Sequence, residues 1–132
     1  MPFEEIHHTA DWSIRVWAKD LPDLFSEAAF GLFAISGIVL ADTPGVKKEI
    51  EIRSPDPESL LVAFLSELIY YAEQDNLAFD KITVEIKGDQ LVATLAGAPI
   101  QKINKYIKAV TFHNLKITEK NSGVEAEIVF DV

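Results

Sequence analysis

A chain of 132 residues, 48% hydrophobic and 25% charged, fits one globular domain, and its lack of cysteine excludes disulfides, zinc–thiolate centres, iron–sulfur clusters and thiol nucleophiles. The net charge of −9, from 21 acidic and 12 basic residues, argues against stable direct binding to a nucleic-acid backbone and favours a basic protein or a cation as partner. Glu4 and Glu5 stand where a signal peptide would be basic, and the longest apolar stretch, residues 31–41, is broken by Gly37 and too short to span a bilayer. A cytoplasmic location with no membrane partner is the expectation.

In chain order, Ile14, Val16 and Ala18 alternate with Ser13, Arg15 and Trp17, which predicts a strand over 12–18. Asp20 is an N-cap with Pro22 in the first turn. Leu21, Leu24, Phe25, Ala28, Leu32 and Phe33 follow at helical spacing, and Gly37 closes the helix. The next segment ends in the turn signal DTPG. Val46, Ile50 and Ile52 predict a strand over 46–53. Asp56 as N-cap and Pro57 at the first helical position start a second helix, whose stripe of Leu61, Leu65, Leu68 and Ala72 runs to about Gln74. Ile82, Val84 and Ile86 alternate, Gly88-Asp89 forms a two-residue turn, and Leu91, Ala93 and Leu95 alternate back.

Gly97-Ala98-Pro99 is then expected to break the chain and lead into a polar connector. Residues 107–117 (IKAVTFHNLKI) predict a strand whose apolar parity shifts from Val110 and Phe112 to Leu115 and Ile117, the signature of a bulge near His113-Asn114. After a turn at Asn121 to Gly123, the even positions from Val124 to Val132 form the apolar face of a last strand. The fold class is therefore α+β: two nested strand–helix–strand–strand modules, with two helices packed on largely antiparallel sheets. The outer module is residues 12–37 plus 107–132, the inserted one is 46–97, and together they make a single domain over 1–132.

Chemistry concentrates at the two ends. Asp131 lies on the polar face of the last strand with Glu125 and Glu127, and in this sequence the α-carboxylate of Val132 is its covalent neighbour. Two adjacent carboxylates repel, and a hard cation such as Ca²⁺ or Mg²⁺ relieves that. The competing reading is a frayed, solvated terminus. Asp11 precedes the first predicted strand and meets Asp131 only if the first and last strands pair. Within the same HHTAD stretch, His7 and His8 point to opposite faces of a strand and do not chelate together. His113 could act as a base at the bulge, yet no nucleophile stands in a recognisable frame with it. Lys102, Lys105, Tyr106 and Lys108 could touch phosphate, but a solvated face is the plainer reading. Trp12 and Trp17 read as core or rim packing residues, with stacking on a base as the sharper alternative. Glu67 reads as a solvated helix flank, with a partner contact as the sharper alternative.

Four stretches together resemble the archease family. HHTADWSIRVWAKDLPDLFSEAAFGLF is similar to its opening, SPDPESLLVAFLSELIYYAEQDNLAF to its second-helix segment, IKAVTFHNLKI to its third signature, and FDV to its closing hydrophobic-Asp-hydrophobic pattern. The resemblance implies an accessory protein of the tRNA-splicing RNA ligase. Such a protein promotes guanylylation of the ligase's active-site histidine and multiple turnover, broadens nucleotide use, and is not itself an enzyme. It also implies a metal site of Asp11, Asp131 and the Val132 carboxylate, with calcium as the associated ion and no other cofactor. One departure is visible: the connector GAPIQKINKYI lacks the acidic Gly-Glu start of the family pattern. The alternative function is a stand-alone metal-dependent hydrolase or phosphotransferase using Asp11 and His113.

Overall fold

The computed structural model describes residues 2–7 and 12–132. Asp20 and Asp56 dictate where the helices begin. Helix α1 (Leu21–Ser36) is capped by the Asp20 carboxylate, which accepts from the Asp23 amide at 3.0 Å, and it ends at Gly37 with φ +68°. Helix α2 (Pro57–Asp75) is capped by Asp56, whose carboxylate accepts from the Ser59 amide at 2.8 Å and also from the Ser59 hydroxyl at 3.0 Å. Asn76, at φ +54°, ends it. Both caps satisfy amides that the helix itself leaves without partners. Asp56→Ala is expected to cost about 1 kcal/mol by urea denaturation; an unchanged midpoint would mean that water replaces the cap at no cost.

The strands form two antiparallel sheets. In the first, β1 (Phe3–His7) pairs with β2 (Trp12–Ala18), and β2 pairs with β9 (Gly123–Asp131). The other flank of β9 carries β7 (Ala109–Thr111) and β8 (Thr118–Lys120) end to end. In the second sheet, β6 (Gln90–Lys102) is central. β5 (Leu77–Lys87) lies along one flank, and β3 (Val39–Leu40) with β4 (Val46–Arg53) along the other. A sheet of the outer strands and a sheet of the inner strands, each with its helix, is the nested α+β arrangement expected. The apolar faces of both sheets and both helices meet in one buried cluster, with Phe25 of α1 stacked on Phe64 of α2 at 5.8 Å. No helix among the described residues is long and apolar enough to cross a membrane.

Two expectations are corrected, and a strand that no pattern announced is added. β6 does not stop at Gly97-Ala98-Pro99 but runs on to Lys102. Pro99 is tolerated because the flank its carbonyl faces holds an interrupted partner: Ala41 donates to that carbonyl at 2.8 Å, in the gap between β3 and β4. A missing donor there leaves no ladder position empty. Second, residues 107–117 are not one bulged strand. β7 ends at Thr111, Asn114 adopts φ +55°, and the Leu115 amide donates to the Phe112 carbonyl at 3.0 Å, closing a turn. Phe112 is consequently 58% exposed instead of facing the core. The added strand, β1, had no apolar alternation to announce it; FEEIH pairs with β2 over all five residues.

Candidate functional site

The expected condition for bringing the two ends together is that the first and last strands of the outer unit pair. They do: Trp12 stands opposite Phe130, and the register continues without a break to Ala18 opposite Val124. On its other flank the end of β9 is held by β7, where Ala109 stands opposite Asp131 and the Lys108 amide donates to the Asp131 carbonyl at 2.9 Å. The chain is therefore strand through Asp131. The buried parity of Ala126, Ile128 and Phe130 turns the Asp131 carboxylate outward, where it is exposed, while Val132 packs against the core. Asp11 and His8 lie outside the described residues, as does the side chain of His7.

The Asp131 carboxylate offers only oxygen, which suits a hard cation such as Ca²⁺ or Mg²⁺ better than a softer transition metal. Among the described residues alone, no three Asp, Glu or His side chains cluster closely enough to hold a metal. Two other acids, Glu125 and Glu127, lie on the polar face of β9. Glu125 lies 3.7 Å from the Lys120 ammonium. Glu127 stands opposite Arg15, which in turn stands opposite Glu4 and bridges to it at 3.0 Å. The Arg15 guanidinium also sits 5.4 Å from the Trp17 ring centre, so Trp17 carries a cation on one face.

His113 is not brought to Asp131. The register of Ala109 with Asp131 and Thr111 with Val129 carries the chain away from it, and His113 lies in the turn beyond the end of β7. Its amide donates to the Thr111 hydroxyl at 3.2 Å, and its ring nitrogen Nε2 meets the Asn114 amide at 3.3 Å. Those contacts shape a turn. Glu67 is exposed on α2, and with burial as the larger cause its charge helps push the Tyr71 hydroxyl pKa upward. A feature that spacing could not reveal is Glu58, whose carboxylate accepts the Ile117 amide at 2.9 Å and ties the start of α2 to the segment before β8. A groove of about 720 Å³ lies beside it, lined by Lys19, Asp20, Pro57, Thr118 and Lys120. It sits at the far end of β9, about 27 Å from Asp131.

An outer sheet that ends at the exposed Asp131 carboxylate, an inserted sheet, and one helix in each module define an α+β domain. Residues 3–132 match the family described as "Archease protein family (MTH1598/TM1083)". The chain is 36% identical to the protein archease of Methanopyrus kandleri, with all of both chains covered. It is 33% identical to that of Methanosarcina barkeri, over 98% of this chain and 95% of the relative. Its fold matches a solved Thermotoga maritima protein, described as an archease and possible chaperone, with a TM-score of 0.74, 25% identity and coverage of 98% and 96%. A solution structure of Methanobacterium thermoautotrophicum protein 1598 matches with a TM-score of 0.71, 26% identity and 99% of both chains. The chain belongs to the archease family.

Proposed function

We propose that this protein is a non-catalytic, cytoplasmic activator of the tRNA-splicing RNA ligase. It promotes guanylylation of the ligase's active-site histidine and multiple turnover, and it broadens the nucleotides the ligase accepts. Asp11, Asp131 and the Val132 carboxylate hold a divalent cation, calcium in this reading, and the ligase performs the bond-making chemistry. The observation that carries the proposal is the β2–β9 register: the covalent neighbour of Asp11 faces the covalent neighbour of Asp131. Family membership and the description of the Thermotoga relative as a possible chaperone support a role exercised on another protein.

The work of this chain is positional. β7 pairs with β9 through Asp131 and β2 pairs with it through Phe130, which supports a fixed backbone beneath the Asp131 carboxylate. Val132 anchors the end by packing inward. A divalent cation held there supplies positive charge that offsets phosphate charge during nucleotidyl transfer.

The test is a time course of ligase guanylylation with GTP and metal, with no addition, with wild-type protein and with Asp131→Ala. Wild type should accelerate labelling and the variant should leave it at the unassisted rate, while both share one circular-dichroism melt. Calcium titration by terbium displacement should give binding in wild type and none in Asp131→Ala. Full acceleration by Asp131→Ala would overturn the carboxylate site, and no acceleration by wild type would overturn the activator reading.

A further inference from the structure

Residues 102–108 (KINKYIK) run against the overall charge, with three lysines and no acid in a chain of net charge −9. Lys102, Lys105 and Lys108 are exposed, and none has an ion-pair partner among the described residues. Arg15, Lys19, Arg53 and Lys120 each meet a carboxylate within 3.7 Å, while Lys47, Lys48, Lys81, Lys87 and Lys116 also have no ion pair among the described residues, so what sets this segment apart is three such lysines within seven residues. The backbone carrying the three lysines is pinned. The amides of Asn104 and Lys105 both donate to the Ser36 carbonyl, at 2.9 and 3.1 Å, Ile107 is buried in the core, and the Lys108 amide bonds to Asp131. Between the lysines, Tyr106 is 47% exposed.

Helix electrostatics explains part of this. α1 has no basic residue in its last turn, so Lys105 beside Ser36 offsets the negative end of the helix. That does not account for Lys102, for Lys108 beside Asp131, or for an aromatic ring left half in water between them. Unpaired cations with an exposed aromatic on a fixed backbone are the elements of a single-strand nucleic-acid contact: phosphates on the lysines, a base on the ring. Screening over about 8 Å at physiological salt lets such a strip act locally despite the acidity of the remaining surface.

We infer that residues 102–108 are a contact strip for single-stranded RNA, with Lys102, Lys105 and Lys108 meeting phosphates and Tyr106 offering a stacking face, and that the strip guides an RNA strand past Asp131. Its use during ligation rests on the activator reading above; the RNA contact itself does not. Three phosphate contacts are too few for stable binding by this protein alone, so the strip adds to an RNA grip that the ligase provides.

The experiment is an amide-resolved NMR titration of the whole protein with a short unstructured oligoribonucleotide at low salt. Wild type should show shifts at residues 102–108, with affinity falling against salt with a log–log slope of about −2. The variant combining Lys102→Ala, Lys105→Ala and Lys108→Ala should lose them while keeping the remaining spectrum. A glutamate-rich peptide of equal charge should move nothing. Absence of shifts in this strip would overturn the inference, and equal shifts with the peptide would overturn it in favour of an acidic protein surface. With ligase present, the triple variant should still accelerate RNA-free guanylylation but weaken RNA affinity of the complex. If wild type fails to accelerate guanylylation, the ligase reading falls and the oligonucleotide result stands or falls by itself.

Discussion

Phe64→Ala should lower the unfolding free energy by about 3–5 kcal/mol in urea denaturation. Phe64 is 0% exposed, and its ring stacks on Phe25 at 5.8 Å with the planes 29° apart. That contact joins the helix of the outer module to the helix of the inserted one. Truncation removes buried ring area from water and leaves a cavity between two helices whose ends are fixed by Asp20, Gly37, Asp56 and Asn76. A fixed frame collapses poorly, which places the cost toward the upper part of that range. A domain of this size has about 5–15 kcal/mol in all, so the variant should sit near its unfolding threshold. Phe64→Leu, which keeps an apolar side chain in place, should cost clearly less. A loss below 1 kcal/mol for the alanine variant would mean that the two helices do not share one core.

The helices were legible because their ends carry their own chemistry. An Asp followed by a Pro in the first turn, at 20–22 and at 56–57, is local information, and local contacts satisfy it. The Gly88-Asp89 turn and the alternation around it were legible for the same reason. β1 was not, because FEEIH has no periodic face and is a strand only by virtue of β2 beside it. Residues 107–117 misled in a different way. A one-step shift of apolar parity fits a bulge or a turn equally well, and only the left-handed Asn114 decides between them. The chain turns back there because Glu58, 59 residues away in sequence, holds the Ile117 amide.

The candidate site was legible as residue types and not as geometry. Asp131 on the polar parity of the last strand follows from alternation, and the structure leaves it exposed there. The pairing of β2 with β9 is a contact between residues more than 100 positions apart, and one sequence has no local signal for it. Lys102, Lys105, Tyr106 and Lys108 were legible as a possible phosphate contact, but their backbone's hydrogen bonds to Ser36 and Asp131 were not. The archease resemblance filled that gap, since shared motifs in order carry long-range information that spacing does not.

Gly97→Ala should destabilise by about 3 kcal/mol, the upper end of the usual cost of overpacking. A Cβ added at Gly97 would meet the Ala78 carbonyl oxygen at 2.0 Å and the Phe79 Cα at 2.6 Å. Both are backbone atoms, so no rotamer change relieves the clash. The close approach arises where β5 carries one extra residue: Phe79 stands opposite Gly97, Lys81 opposite Ala96, and Asp80 is the surplus. β5 therefore leans over β6 at this point and brings Leu77, Ala78 and Phe79 into the interior together. Gly88→Ala is the matched control. Its φ of +59° is strained for alanine, but nothing lies within 4 Å of the added atom, so it should cost only about 1 kcal/mol. Amide hydrogen exchange should quicken at 77–81 and 96–99 in Gly97→Ala before it quickens elsewhere, because the strand crossing must open to admit the methyl group. Equal costs for the two variants would show that β5 does not ride on Gly97, and the reason for a glycine in the middle of the longest strand would have to lie outside the sheet.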